Sequence, residues 1–149
     1  MGSEENKKIV LAQFELLNRG DVAGAAALWA SECSNHGRKV GPAGIVRVYE
    51  SLKVLGEQHT LHELIAEDDW VAVRTTCVGR FSGRPELPVN GGVFSGREPN
   101  RRTYEVQHIH LFRVQGGKLV EHWASRDDLG AARQVGLDLT PSPEAAPPG

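Results

Sequence analysis

Thr103-Tyr104-Glu105-Val106-Gln107-His108-Ile109-His110-Leu111-Phe112-Arg113-Val114-Gln115-Gly116-Gly117-Lys118-Leu119-Val120-Glu121-His122-Trp123 reads as two strands joined by a tight turn. Apolar and β-branched residues dominate Thr103–Val114 and Lys118–Ser125, and Gln115-Gly116-Gly117 offers a hairpin turn that glycine makes without strain. Strand parity puts Tyr104, Val106, His108, His110 and Phe112 on one face and Gln107, Ile109 and Leu111 on the other. Both faces are largely apolar, which predicts a strand covered on both sides with two imidazoles pointing into one interior. A buried polar group without a partner costs roughly 1–3 kcal/mol. Two such rings beside Tyr104 and Phe112 therefore point to a polar-lined pocket rather than a plain core.

Upstream of the hairpin, residues 81–102 are rich in glycine and proline and read as a long loop, either a lid or binding loop or a disordered stretch. Trp70–Val78 is a β-branched strand, preceded by the acidic turn Glu67-Asp68-Asp69 and an alternating strand His59–Ala66. Before His59 the period is helical. Ile9, Val10, Phe14 and Leu17 form one stripe ending near Gly20, and Asp21 can cap a second helix through Ala23–Trp29. Glu32–Gly37 is short and irregular or extended, and Ile45, Val48, Tyr49, Leu52 and Leu55 mark a third helix behind Pro42. Downstream, Leu129–Val135 reads as a closing helical turn before Gly136. Helices first and antiparallel hairpins afterwards make this an α+β chain, whose curved sheet would enclose a pocket under the helices. We expect one domain over residues 1–137 and a disordered Pro/Ala-rich tail over 138–149.

Composition removes several classes of function. Across 149 residues, 17 Lys+Arg against 19 Asp+Glu leave a net charge of −2, without the positive footprint that nucleic acid requires. A hydrophobic content of 40% is too high for a disordered acidic chain, and the apolar runs fall short of the roughly 18–20 residues of a membrane span. No charged start followed by an apolar stretch marks a signal peptide. Two cysteines, Cys33 and Cys77, suit a reducing, cytoplasmic setting. The excess is in histidine: five of the six lie between His59 and His122.

Candidate site residues follow from placement. His108-x-His110 is also a metal-ligand arrangement that His122 or Asp127 could complete. No further ligand stands at a recognisable spacing, so the expectation is no metal. His59 and His62 read as incidental, while His36 and His122 suit either a pocket or a structural role. Asp128, directly before Leu129-Gly130-Ala131, is the expected N-cap. That leaves Asp127, in parity with Trp123, as the carboxylate available for acid or base work beside an apolar wall. Arg74, a lone charge in an apolar strand, reads first as an ion pair with Glu121 or Glu63 and second as a substrate contact. Asn35 can hold a carbonyl or hydroxyl, or make an Asx turn.

The stretch Phe112–Trp123, with Asp127-Asp128-Leu129-Gly130 and Gln134-Val135-Gly136, resembles the SnoaL-like polyketide cyclases of the nuclear transport factor two-like superfamily. Asp68-Asp69 before Trp70-Val71-Ala72-Val73-Arg74 resembles that family's turn into its arginine-bearing strand, and the likeness runs over residues 5–137. The resemblance implies a cone of curved sheet closed by three N-terminal helices, paired as a homodimer through the convex sheet face. It also implies cofactor-free and metal-free aldol cyclisation of a small hydrophobic carbonyl compound. By that resemblance Asp127 would be the general acid/base, His108 and His110 its polar pair and Asn35 its pocket asparagine; Tyr104, Trp123 and Arg74 are further candidate substrate contacts. Hydrolysis, hydration or assistance to a hydroxylation are alternatives on the same fold, as is small-molecule binding without catalysis. Convergence of His108, His110 and Asp127 around an open cavity would favour an enzyme.

Overall fold

The structure, a computed structural model, describes residues 2–139. The first helix, α1 (Ser3–Asn18), buries Val10 and Phe14 and ends before Gly20, whose φ of +75° is costless only for glycine. Asp21 caps α2, its carboxylate accepting from the Gly24 amide at 2.8 Å. This helix is shorter than its alanine content suggests: α2 is Val22–Ala26, and Trp29 already opens strand β1 (Trp29–Asn35). Trp29 pairs with Leu119, and the Leu119 amide donates to the Leu28 carbonyl at 2.9 Å, so sheet pairing overrides helix propensity there. A tight His36-Gly37 turn, both residues at positive φ, leads to β2 (Arg38–Lys39), and α3 (Gly41–Val54) follows with Pro42 in its first turn.

Four longer strands complete the sheet: β3 (Gln58–Glu67), β4 (Trp70–Arg80), β5 (Thr103–Gln115) and β6 (Lys118–Arg126). The turn at Gly116-Gly117, both at positive φ, joins the hairpin as the sequence predicts. The spatial order is β2-β1-β6-β5-β4-β3, a curved and unclosed sheet. Only the β1–β6 pair is parallel, and α1 and α3 lie against the inner face. The chain is the expected α+β cone-type sheet under helices.

Two apolar clusters hold it together. One joins α1, α2 and α3 to Val71, Val73, Phe112 and Val114, and the other gathers Leu55, Cys77, Phe81, Phe94 and Tyr104 beneath the 81–102 loop and α4 (Asp128–Gln134). The loop is therefore packed rather than loose, with a single 3₁₀ turn at Asn90–Gly92. Gly79 faces Tyr104 across the ladder, and only hydrogen fits there, because a Cβ would strike the Tyr104 ring.

The inner face of β5 carries Tyr104, Val106, His108, His110 and Phe112, as parity predicts, and all are buried. Its outer face departs from expectation. Ile109 is 48% and Leu111 36% exposed, so in the single chain this strand is covered on one side only. The tail expected over 138–149 lies outside the described residues from position 140 onward.

Candidate active site

Between the inner face of the sheet, α1, α3 and the loop lies a cavity of about 440 Å³, within the range of small-molecule sites. Five of the six histidines line it: His36, His59, His108, His110 and His122. Cross-strand register brings them together. Val73 and Thr75 of β4 stand opposite His110 and His108, while His122 and Arg126 of β6 stand opposite Phe112 and His108. Directly opposed residues share a face, so His122, Ala124 and Arg126 point inward. His59, on β3 opposite Cys77, reaches the same space, and only His62 turns outward to the Thr76 hydroxyl.

The imidazoles are wired in order. Asn35 Oδ1 lies 2.8 Å from His122 Nδ1, and His122 Nε2 lies 3.0 Å from His110 Nδ1. With Asn35 presenting its carbonyl oxygen, His122 carries its proton on Nδ1 and accepts on Nε2. His110 then donates from Nδ1 and is left with a lone pair on Nε2. That nitrogen and His108 Nδ1 are both buried without a protein partner. On the opposite side, His59 Nδ1 meets the Thr75 hydroxyl at 3.2 Å.

Burial keeps these rings neutral. It pushes His108 down to about 3, helped by neighbouring His59 and Arg126, and His122 down to about 3, helped by His36 and Arg126. His110 lies well below the usual imidazole range, and His59 is lowered, each chiefly by desolvation. His36, in the hairpin turn near Trp123, is lowered too.

One carboxylate stands among the described residues lining this cavity, and it is Glu57. Its Oε2 accepts three bonds, from the Tyr104 hydroxyl at 2.9 Å, the Asn90 amide at 3.0 Å and Cys77 Sγ at 3.1 Å. All three donors converge on one oxygen, which leaves Oε1 as the carboxylate's other acceptor. Deeper along α3, the Tyr49 hydroxyl accepts from Trp29 Nε1 at 2.8 Å and Gln13 Nε2 at 3.0 Å. Its own proton is thus available to donate, and burial pushes its pKa up.

Sequence reasoning placed His108, His110 and Asn35 in this cavity, and the structure puts them there. It overturns three other placements, those of Asp127, Trp123 and Tyr104, and decides Arg74 for its first reading, the ion pair. Asp127, not Asp128, caps α4: its Oδ1 accepts from the Gly130 amide at 2.8 Å, and it is exposed and absent from the cavity lining. Trp123 and Asp127 do share parity, but on the outer side, because His122 rather than Trp123 stands opposite inward-facing Phe112. Trp123 is accordingly an exposed outer-face residue that donates to Glu121 at 2.7 Å. Arg74 sits opposite Ile109 on the outer face, bridged to Glu63 at 2.7 and 2.9 Å, which realises its ion-pair reading. Tyr104 is buried one layer behind the cavity, where it holds Glu57 instead of touching a ligand.

Three contributors went unread. Glu57 precedes a strand and carries no motif, His59 looked incidental, and Arg126 stood in a run of charges. Arg126 lines the cavity and is held by Asp128 through Nε–Oδ1 at 3.3 Å. Alternation along His59–Ala66 was the one available signal, since it puts His59 on the same face as apolar Leu61.

A curved sheet over an imidazole-lined cavity defines a class, and the comparisons name it. The sequence profile of the SnoaL-like polyketide cyclases matches residues 7–135, so this chain belongs to that family. It is 32% identical over 108 residues to aklanonic acid methyl ester cyclase DnrD of Streptomyces peucetius, an alignment covering 70% of this chain and 67% of that one. Among solved structures, TsrD from Streptomyces laurentii superposes with a TM-score of 0.73 at 22% identity, covering 91% of this chain and 98% of the other. A SnoaL-like polyketide cyclase from Agrobacterium tumefaciens does so with a TM-score of 0.71 at 16% identity, covering 91% and 100%. These structural likenesses bear on the fold alone. Among the described residues no helix is long and apolar enough to cross a membrane.

Proposed function

We propose that this chain is a cyclase-type enzyme that closes a ring in a small hydrophobic polycarbonyl compound by an intramolecular aldol reaction, with Glu57 as its general base. The observation that carries this reading is the meeting, in one cavity, of a buried carboxylate and a cluster of neutral imidazoles. Glu57 takes a proton from the carbon between two carbonyls. The C–H electron pair becomes an enolate, which attacks a second carbonyl in the same molecule and forms the C–C bond. The proton returns to the new alkoxide oxygen. Three donors on Glu57 Oε2 hold the carboxylate in one orientation at the cavity wall. The α-proton it removes is one acidified by the two flanking carbonyls. Arg126 and the Tyr49 hydroxyl supply positive charge and a proton donor for developing oxyanions.

The family relationship and the 32% identity to a polyketide ester cyclase support the reaction class. The apolar wall of Phe14, Trp29, Ile45 and Phe112 supports a hydrophobic substrate. The pairing of two copies through the outer sheet face is part of the same reading, because Ile65, Ile109, Leu111 and Trp123 are all exposed there.

Glu57→Gln tests the assignment with aromatic polyketide esters as substrates. It keeps the size of the side chain, and we expect turnover to fall about 10²–10⁴-fold. Turnover within twofold of the parent protein would remove Glu57 from the chemistry.

A further inference from the structure

We propose that His59, His108 and His110 form a binding site for one divalent transition-metal ion with zinc-like preferences, open to the cavity on its fourth side. The three rings stand at the corners of a near-regular triangle, with centroids 5.5 Å (His59–His108), 5.7 Å (His59–His110) and 5.4 Å (His108–His110) apart. One ring nitrogen from each lies within 4.8 Å of the other two. Tetrahedral bonds of about 2.0–2.1 Å need nitrogens about 3.4 Å apart, a closure that side-chain rotation can supply. Two of the three residues carry a buried ring nitrogen without a partner, His108 Nδ1 and His110 Nε2, on residues only 3% and 8% exposed. With the His108 proton on Nε2, both nitrogens present lone pairs that one cation satisfies together.

The surrounding bonds are those a metal-bound imidazole uses. A ligating histidine normally donates its other ring N–H to an acceptor that fixes its tautomer. His110 does so through Nδ1 to His122, which is itself anchored on Asn35. His59 does so through Nδ1 to the Thr75 hydroxyl, leaving Nε2 for the ion. Neutral imidazoles also need lose no proton on binding.

A second group, Glu57, His59 and Cys77, is comparably close but is the poorer site. The Cys77 thiol donates to Glu57, and burial together with that carboxylate pushes its pKa up, which disfavours the thiolate a metal requires. Sequence spacing does not link the third histidine to the other two, because His59 reaches His108 and His110 only across two strand pairings, β3–β4 and β4–β5. In chemical terms the site deepens the cyclase reading. An ion at the open position would bind the carbonyl oxygen whose neighbouring carbon Glu57 deprotonates.

Untagged protein, stripped with a chelator and titrated with cobalt(II), tests this directly. We expect one equivalent to bind with the intense visible absorption of four-coordinate cobalt, lost when zinc(II) is added. His59→Ala and His108→Ala should each weaken cobalt binding at least about 100-fold, and His122→Phe about 10–100-fold through loss of orientation. His62→Ala, on the outer face, should bind as the parent does. Far-UV circular dichroism checks that each variant is folded. Should the alanine variants not fold, the parent chain decides through its spectrum and a zinc-dependent rise in melting temperature. No four-coordinate spectrum from the parent, or parent-like affinity in folded His59→Ala and His108→Ala, overturns the proposal. The spectrum needs no substrate: cobalt binding without cyclisation would sink only the cyclase reading, and cyclisation without cobalt binding only the metal site.

Discussion

Two adjacent aspartates show how much one residue of phase decides. Asp127 and Asp128 are chemically alike and both stand at the start of α4, yet one caps it and the other holds Arg126 at the cavity wall. Because asparagine is as good a cap as aspartate, Asp127→Asn should leave the melting temperature unchanged and turnover within about twofold of the parent value. Asp127→Ala removes the cap and should cost about 1 kcal/mol, a fall of about 2–4 °C in melting temperature for a chain of this size. A tenfold loss of turnover in Asp127→Asn at unchanged melting temperature would return the base to Asp127. Local sequence could not separate the two, because both offer the same capping oxygen to the same amides. The site was legible where one strand decides it, as for His108 and His110. It was hidden where the decision lies in register between strands, as for His59, His122 and the outward turn of Trp123.

At the scale of elements, the helices and hairpins could be read from period and turn residues, and the failures came where elements compete. Alanine-rich 23–29 favours helix, but parallel pairing of Trp29 with Leu119 claims its end. The 81–102 segment has loop composition and yet functions as a wall. Phe94 packs 4.6 Å from the Phe81 ring and 5.5 Å from Tyr104, and Leu87 to Gly91 line the cavity. A large aromatic at its centre gives this loop a core of its own. Phe94→Ala should destabilise the protein by about 3–5 kcal/mol in denaturant unfolding, the range for deleting a buried ring. A cost under 1 kcal/mol would mean that the loop is dispensable for stability. The expected loss also reaches the site, because Tyr104 and Asn90, both beside this ring cluster, position Glu57.

For the whole molecule, the two faces of the sheet have separate duties. The inner face surrounds the cavity, and the outer face leaves apolar side chains in water, with Ile65 70% exposed. Pairing of two copies through that face predicts that Leu111→Arg converts a dimer to a monomer in analytical ultracentrifugation. The cavity is untouched, so small-molecule binding should persist. A parent chain that sediments as a monomer at micromolar concentration would dismiss the pairing. Near-neutral charge alone could not indicate this surface, because a net charge of −2 says nothing of where apolar side chains collect.

The parallel seam between β1 and β6 has a consequence for how the protein is made. Asn35 stands opposite His122, so the anchor of the imidazole chain is synthesised 87 residues before its partner. The meander from β3 to β6 is built from neighbours in sequence, but the seam joins distant parts of the chain. A ribosome must therefore deliver nearly the whole described chain before the histidines can be aligned. Until then Val10, Phe14, Ile45 and Tyr49 have no completed sheet to pack against. The pocket thus forms only once β6 has been made and paired with β1.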